Sequence, residues 1–174
     1  MFDPTVFDNL KVVLEGSAYD LDLSGDIEIS DRSDLIDLAK LSRAYTVALK
    51  KPKNDIEGLI ILATDADSWT AEILEDGFGP YPCELFIQFF LKVKDIEHDC
   101  SGIRFRLNQI WRDLKPKVEQ MLFFQYGHDK DIMNQITISL PNPIDESFII
   151  EIPSVLSKMI DTLNSLDSFS NSKA

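Results

Sequence analysis

The stretch that most constrains the fold is residues 84–93. There Leu85, Ile87, Phe89, Leu91 and Val93 alternate with Glu84, Phe86, Gln88, Phe90 and Lys92. An extended chain turns successive side chains to opposite faces, so period two puts all five aliphatic and aromatic residues on one face. The other face carries Phe86 and Phe90 among polar residues, which predicts a strand partly covered on both sides. Such a strand needs neighbours. Arg43 to Leu49 and Gly58 to Ala63 read as two strands joined by the polar loop Lys50 to Glu57, which contains Pro52. Ile136, Ile138 and Leu140, then Phe148, Ile150 and Ile152, read as two more around the turn Pro141-Asn142-Pro143. Lys11 to Leu14 is a short apolar run suited to a strand.

Residues 19–29 alternate as well. Tyr19, Leu21, Leu23, Ile27 and Ile29 fall on one side, with Asp20, Asp22, Ser24, Asp26 and Glu28 on the other. A three-residue loop at Ser24-Gly25-Asp26 pairs Leu23 with Ile27 and keeps every apolar side chain on one face, whereas a two-residue turn opposes Leu23 to Asp26. The predicted hairpin therefore has one wet, acidic face made by Asp20, Asp22, Asp26 and Glu28.

Helical spacing appears in four places. Leu35, Leu38 and Leu41 follow a cap at Ser33 or Asp34. Trp69 and Ile73 follow a cap at Asp67 or Ser68, with Gly77 closing the helix. The clearest stripe is Ile103, Leu107, Ile110, Trp111, Leu114, Val118, Met121 and Leu122, capped by Ser101. Pro116 disfavours a helical Lys115, so this stripe kinks or breaks there. Ser154 caps a last helix carrying Leu156, Met159, Ile160 and Leu163. Strands following strands at close range, with helices interspersed, predict an α+β fold. It has a largely antiparallel sheet of six to eight strands packed by three to four helices. One domain spans residues 1–167, and residues 168–174 form a polar, frayed tail.

Charge narrows the function classes. The chain carries 30 acids against 17 bases, a net charge of −13, which phosphate backbones repel; nucleic acid is not an expected partner. Apolar runs such as Leu59 to Ala63 fall far short of the roughly 20 residues of a membrane helix. Met1-Phe2-Asp3-Pro4 shows no basic or apolar leader pattern. Two cysteines, Cys83 and Cys100, do not make a disulfide framework, which predicts a cytoplasmic protein with reduced thiols. The acids are unevenly placed: residues 1–40 sum to −7 and residues 81–130 to +1, so the two regions are expected to attract each other.

Two short motifs carry possible chemistry. Residues 20–31 place Asp20, Asp22, Ser24, Glu28 and Asp31 at the first, third, fifth, ninth and twelfth positions of a loop, with Gly25 at the sixth. This resembles the calcium-binding EF-hand loop, in which oxygen ligands converge on a hard cation and the glycine allows the sharp turn. The resemblance implies Asp20, Asp22, Ser24 and Asp31 as ligands. It departs from the pattern in Ser24, in the short Asp31, in the apolar Leu21 and Leu23, and in Gly16-Ser17, which interrupts an entering helix. Cys100 and Arg106, separated by five residues between a strand and a helix, resemble the phosphate loop of cysteine-dependent phosphatases. That resemblance implies Cys100 as nucleophile and Arg106 as phosphate clamp. Asp99 and Leu107 stand where that family has histidine and a hydroxyl, and Asp95, Glu97 and Asp99 disfavour a thiolate. Asp65 and Asp67 after a strand, and the histidines His98 and His128, complete no catalytic set.

No cofactor is implied. The expected function is a non-catalytic, acidic protein-interaction or adaptor role, with a protein partner or self-association. A divalent-cation module at Asp20–Asp31 and a Cys100 phosphatase are the alternatives.

Overall fold

The computed structural model describes residues 5–74, 81–128 and 130–170. Along the chain these form α1 (Val6–Ser24), β1 (Glu28–Asp37), β2 (Ser42–Lys50), β3 (Glu57–Thr64), α2 (Ala66–Ile73) and β4 (Glu84–Val93). They continue with α3 (Ile96–Ile110), β5 (Lys117–Phe123), β6 (Ile132–Ser139), a 3₁₀ turn (Glu146–Glu151) and α4 (Ile152–Ser170). The six strands make one sheet of order β1-β2-β3-β4-β6-β5, antiparallel throughout. This is the α+β architecture that the periodicities predict.

Register aligns the apolar alternations. Val47 pairs with Ile60, Ile60 with Ile87, and Ile87 with Ile138, and all four are buried. Helices α1, α3 and α4 cover that face with Leu10 and Leu14, with Ile103, Leu107 and Trp111, and with Leu156, Met159 and Leu163. Each such side chain contributes about 1.5–3 kcal/mol of burial. Gly58 lets α4 come close: a Cβ there would sit 2.9 Å from Cε1 of Phe89 and 3.3 Å from Cε of Met159. At the far end of the core the Trp111 indole donates to Thr162 Oγ1 at 3.0 Å, and both residues are fully buried.

Several local expectations are overturned. Lys11–Leu14 is not a strand and residues 19–29 are not a hairpin. Both belong wholly or partly to α1, which Thr5 caps and Gly25 closes at φ 82°. The stripe Phe7, Leu10, Leu14 and Ala18 runs at helical spacing and continues to the half-buried Leu21, whereas Leu23, which the alternation assigned inward, is 86% exposed. Gly16 lies inside the helix, where it weakens it by about 1 kcal/mol relative to alanine without breaking it. Residues 33–41 are not helical either: β1 runs to Asp37, whose carboxylate accepts from the amides of Ala39 and Lys40 and so turns the chain into β2.

Helix caps are displaced upstream. Asp65, not Asp67 or Ser68, caps α2, and Gly77 lies outside the described residues. Asp95, not Ser101, caps α3, while Asp99 reaches back to the amides of Lys94 and Asp95. At Pro116 the stripe breaks rather than kinks. Lys115 takes φ 45° and residues 117–123 become a strand paired with β6. Residues 146–151 form a 3₁₀ turn capped by Asp145 instead of a strand. It runs straight into α4, so Ser154 is not its cap. Residues 168–170 remain in α4, and residues 171–174 lie outside the described residues.

Candidate functional site

The acids of residues 20–28 occupy the C-terminal end of α1 and the chain just after it. Exposed carbonyls give a helix C-terminus about half a negative charge, so cations are favoured there and carboxylates are not. Helix α1 has no basic residue in its last turn and instead carries Asp22 there, with Asp20 just before and Asp26 just after. Ser24 Oγ donates to Leu21 O at 2.9 Å and to Asp26 Oδ2 at 2.7 Å. Among the described residues, the ion pairs involve other acids, and none reaches Asp20, Asp22 or Asp26.

Helix α4 begins beside this end, and between the two helices lies a cleft of about 520 Å³. Leu21, Leu156 and Ile160 form its apolar floor; Ser17, Asp20, Asp26 and Ser157 stand around it. The start of α4 lends some positive potential, although the preceding 3₁₀ turn already engages the chain there. The cleft is thus an apolar trough with two carboxylates and, among the described residues, no cation paired to them, suited to a ligand with an alkyl or aryl body and a positive head. Two of the four residues assigned to the acidic face, Asp20 and Asp26, line it together. Asp22 does not line it, and Glu28 lies on β1 against Lys50 at 3.5 Å.

The set implied by the calcium-loop resemblance is separated. Asp20, Asp22 and Ser24 are helical, Gly25 reverses the chain, and Asp31 is exposed on β1. Among the described residues no group of three or more His, Cys, Asp or Glu side chains could hold a metal ion. Cys100 and Arg106 are also apart. Residues 100–106 lie within α3 rather than in a loop before a helix. Arg106 turns to α4, donating to Ser165 O at 2.8 Å and to Ser168 Oγ at 2.5 Å, with its guanidinium 4.6 Å from the Phe169 ring centre.

Cys100 borders a separate cleft of about 320 Å³ with Glu97, Ser101, Arg104 and Gln120. Burial, with Asp99 and Glu97 adding to it, pushes its thiol up, and Arg104 offsets this only in part. Beneath lies a polar chain that sequence reading missed. Gln120 donates to Cys100 O at 2.9 Å; Asn134, fully buried on β6, donates to Gln120 Oε1 at 2.7 Å and comes within 3.7 Å of Cys100 Sγ. The backbone carbonyl orients Gln120, and Gln120 in turn orients Asn134. An asparagine at a core-facing strand position, two residues before Ile136, was the available signal. Asp65 acts as a cap with Asp67 exposed beyond it, and both histidines are exposed, His98 on α3 and His128 in the loop between β5 and β6.

The strongest ion-pair cluster lies elsewhere. Asp34 on β1 takes both Nε and Nη2 of Arg43 at 2.9 and 2.8 Å and Lys11 Nζ at 2.6 Å, and Arg43 Nη1 reaches Asp8 at 2.9 Å. Hydrogen bonding from Arg43, joined by Lys11, holds the Asp34 carboxyl down at about 2. The acids of residues 1–40 thus pair with Lys11, Arg32, Arg43 and Lys50. Among the described residues none of these pairs reaches the bases of residues 81–130, so the expected attraction between those regions takes no form of an ion pair there. No helix is long and apolar enough to cross a membrane among the described residues. No protein-family model matches this chain, and no significant match is found among curated proteins or solved structures.

Proposed function

We propose that this chain is a non-catalytic interaction protein whose α1–α4 cleft receives a basic, amphipathic segment of a protein partner. The observation that carries this reading is the pair Asp20 and Asp26, which have no ion-pair partner among the described residues, over the apolar floor of Leu21, Leu156 and Ile160 at the negative end of α1. Carboxylates at a helix C-terminus cost stability, and a bound lysine or arginine removes that cost while its stem covers the floor. Such a placement, unfavourable in the free protein, is typical of sites kept for binding. Two free cysteines, Cys83 buried and Cys100 half-buried, agree with a reducing compartment, and we place the protein in the cytosol.

The test is fluorescence anisotropy with a labelled amphipathic peptide of lysine and leucine. Asp20→Asn with Asp26→Asn should weaken binding at least tenfold. Asp31→Asn with Asp37→Asn removes the same charge outside the cleft and should change it less than twofold. Equal losses in the two double variants would mean that net charge alone attracts the peptide, and would sink the cleft as the site. Binding should also weaken as salt rises.

A further inference from the structure

Helix α3 carries an exposed surface that is both apolar and basic. Ile103 and Leu107 face the core; Phe105, two positions from each, projects from the opposite side of the helix and is 64% exposed. Arg104 stands exposed beside it, and Arg112 and Lys115 are exposed in the segment between α3 and β5. From Cys100 to Arg112 the chain holds three arginines and no acid. Arg106 is tied to α4. Among the described residues Arg104, Arg112 and Lys115 enter no ion pair. In a chain of net charge −13, unpaired cations around an exposed phenylalanine need an explanation.

We propose that the segment received by the α1–α4 cleft is this outer face of α3 on a second copy of the chain, an inference that rests on the cleft reading above. Charge complementarity selects the occupant. The cleft offers Asp20 and Asp26, without ion-pair partners among the described residues, over Leu21, Leu156 and Ile160. The α3 face offers a ring to cover that floor and arginines to meet those carboxylates. Residues 1–40 sum to −7 and residues 81–130 to +1. Among the described residues of one copy no ion pair joins an acid of the first region to a base of the second, so their attraction is left to be made between copies. A cleft of about 520 Å³ takes an aromatic side chain with a flanking cation. The β1–β2 turn also exposes Leu38 and Leu41, but it brings one base, Lys40, beside Asp37, and so matches two carboxylates less well. A contact between two different surfaces is head to tail and builds rings or open chains. One helix face is small for an interface, so the association is weak.

Sedimentation equilibrium of the full chain tests this. Between about 10 and about 500 µM the weight-average mass of the wild type should climb above the chain mass of 19.8 kDa. Phe105→Ser with Arg112→Gln, both at exposed positions, should stay at the chain mass with unchanged far-ultraviolet circular dichroism. Asp20→Asn with Asp26→Asn should do the same. Mixed in equal amounts, the two double variants should associate again and stop at two chains, because one supplies the cleft and the other the α3 face. A wild type that stays at the chain mass up to about 500 µM overturns the proposal. So does self-association that survives in either variant, or a mixture that stays monomeric while the wild type associates. The Phe105→Ser, Arg112→Gln variant keeps its cleft and should bind the labelled lysine–leucine peptide within about twofold of wild type. Peptide binding that needs Asp20 and Asp26, beside a monomeric wild type, removes the second copy as occupant and leaves the cleft as a site; peptide binding that ignores those two acids removes both.

Discussion

Replacing Asp34 by asparagine tests the ion-pair cluster that ties α1 to the β1–β2 edge. The carboxylate accepts two hydrogen bonds from Arg43 and one from Lys11, and its pKa falls from 3.8 to about 2. At about 1.36 kcal/mol per tenfold change in proton affinity, that drop bounds the differential stabilisation at about 2.5 kcal/mol. The Asp34 side chain is 29% exposed and sits on an edge strand, so solvent screening reduces this to about 1–2 kcal/mol. The folded value lies below the unfolded one. The stabilisation is therefore complete above about pH 5 and is lost as the pH falls through 4 toward 2. Urea titrations at low ionic strength should show Asp34→Asn about 1–2 kcal/mol less stable than wild type at pH 7, the gap closing near pH 2. An absent gap at pH 7, or one of constant size down to about pH 2.5, would refute the reasoning.

Other outcomes follow from individual contacts. Gly58→Ala forces a methyl group against Phe89 and Met159 and should cost about 1–3 kcal/mol in urea unfolding. Thr162→Val leaves the buried Trp111 indole N–H without its acceptor and should cost about 1–3 kcal/mol, with a shift in tryptophan fluorescence. Asp22→Lys puts a cation in the last turn of α1 and should raise stability by about 0.5 kcal/mol, most clearly at low salt. Burial, with Glu72 and Asp65 adding to it, pushes the Cys83 thiol up to about 12, so a disulfide-exchange reagent at neutral pH should leave Cys83 unreacted until the protein is unfolded.

Much of the sheet was legible along the chain. The strands read at 43–49, 58–63, 85–93 and 136–140 became β2, β3, β4 and β6: the last two alternate, the first two are apolar segments flanking a polar loop, and all find neighbours at matching register. Three segments did not resolve in that way. Residues 19–23 satisfy period two and, through Leu21, the helical stripe from Phe7; packing against α4 and the glycine cap decided for the helix. Val118, Met121 and Leu122 extend the α3 stripe in sequence, yet Pro116 ends the helix and β6 supplies hydrogen-bond partners that make a strand. Residues 148–152 alternate, but Ile150 is 80% exposed and no strand pairs with this segment among the described residues, so the chain turns there instead. Period two says which side chains share a face; only a neighbouring strand can satisfy the backbone.

The candidate site divides in the same way. Asp20 and Asp26 were legible in the sequence only as two of four acids expected on one strand face with Asp22 and Glu28, and of these four only Asp20 and Asp26 line the cleft. Leu156 and Ile160, which give the cleft its floor, are more than 100 residues away and became neighbours only when α4 packed on α1. Cys100 and Arg106 are only six positions apart, yet the turn of α3 sends them to different surroundings. Composition and periodicity by themselves determined the fold class, most of the strands and the surplus of acid. Tertiary packing decided which acids are paired and which face of the sheet the helices cover, because electrostatic partners and burial depend on distance in space rather than along the chain.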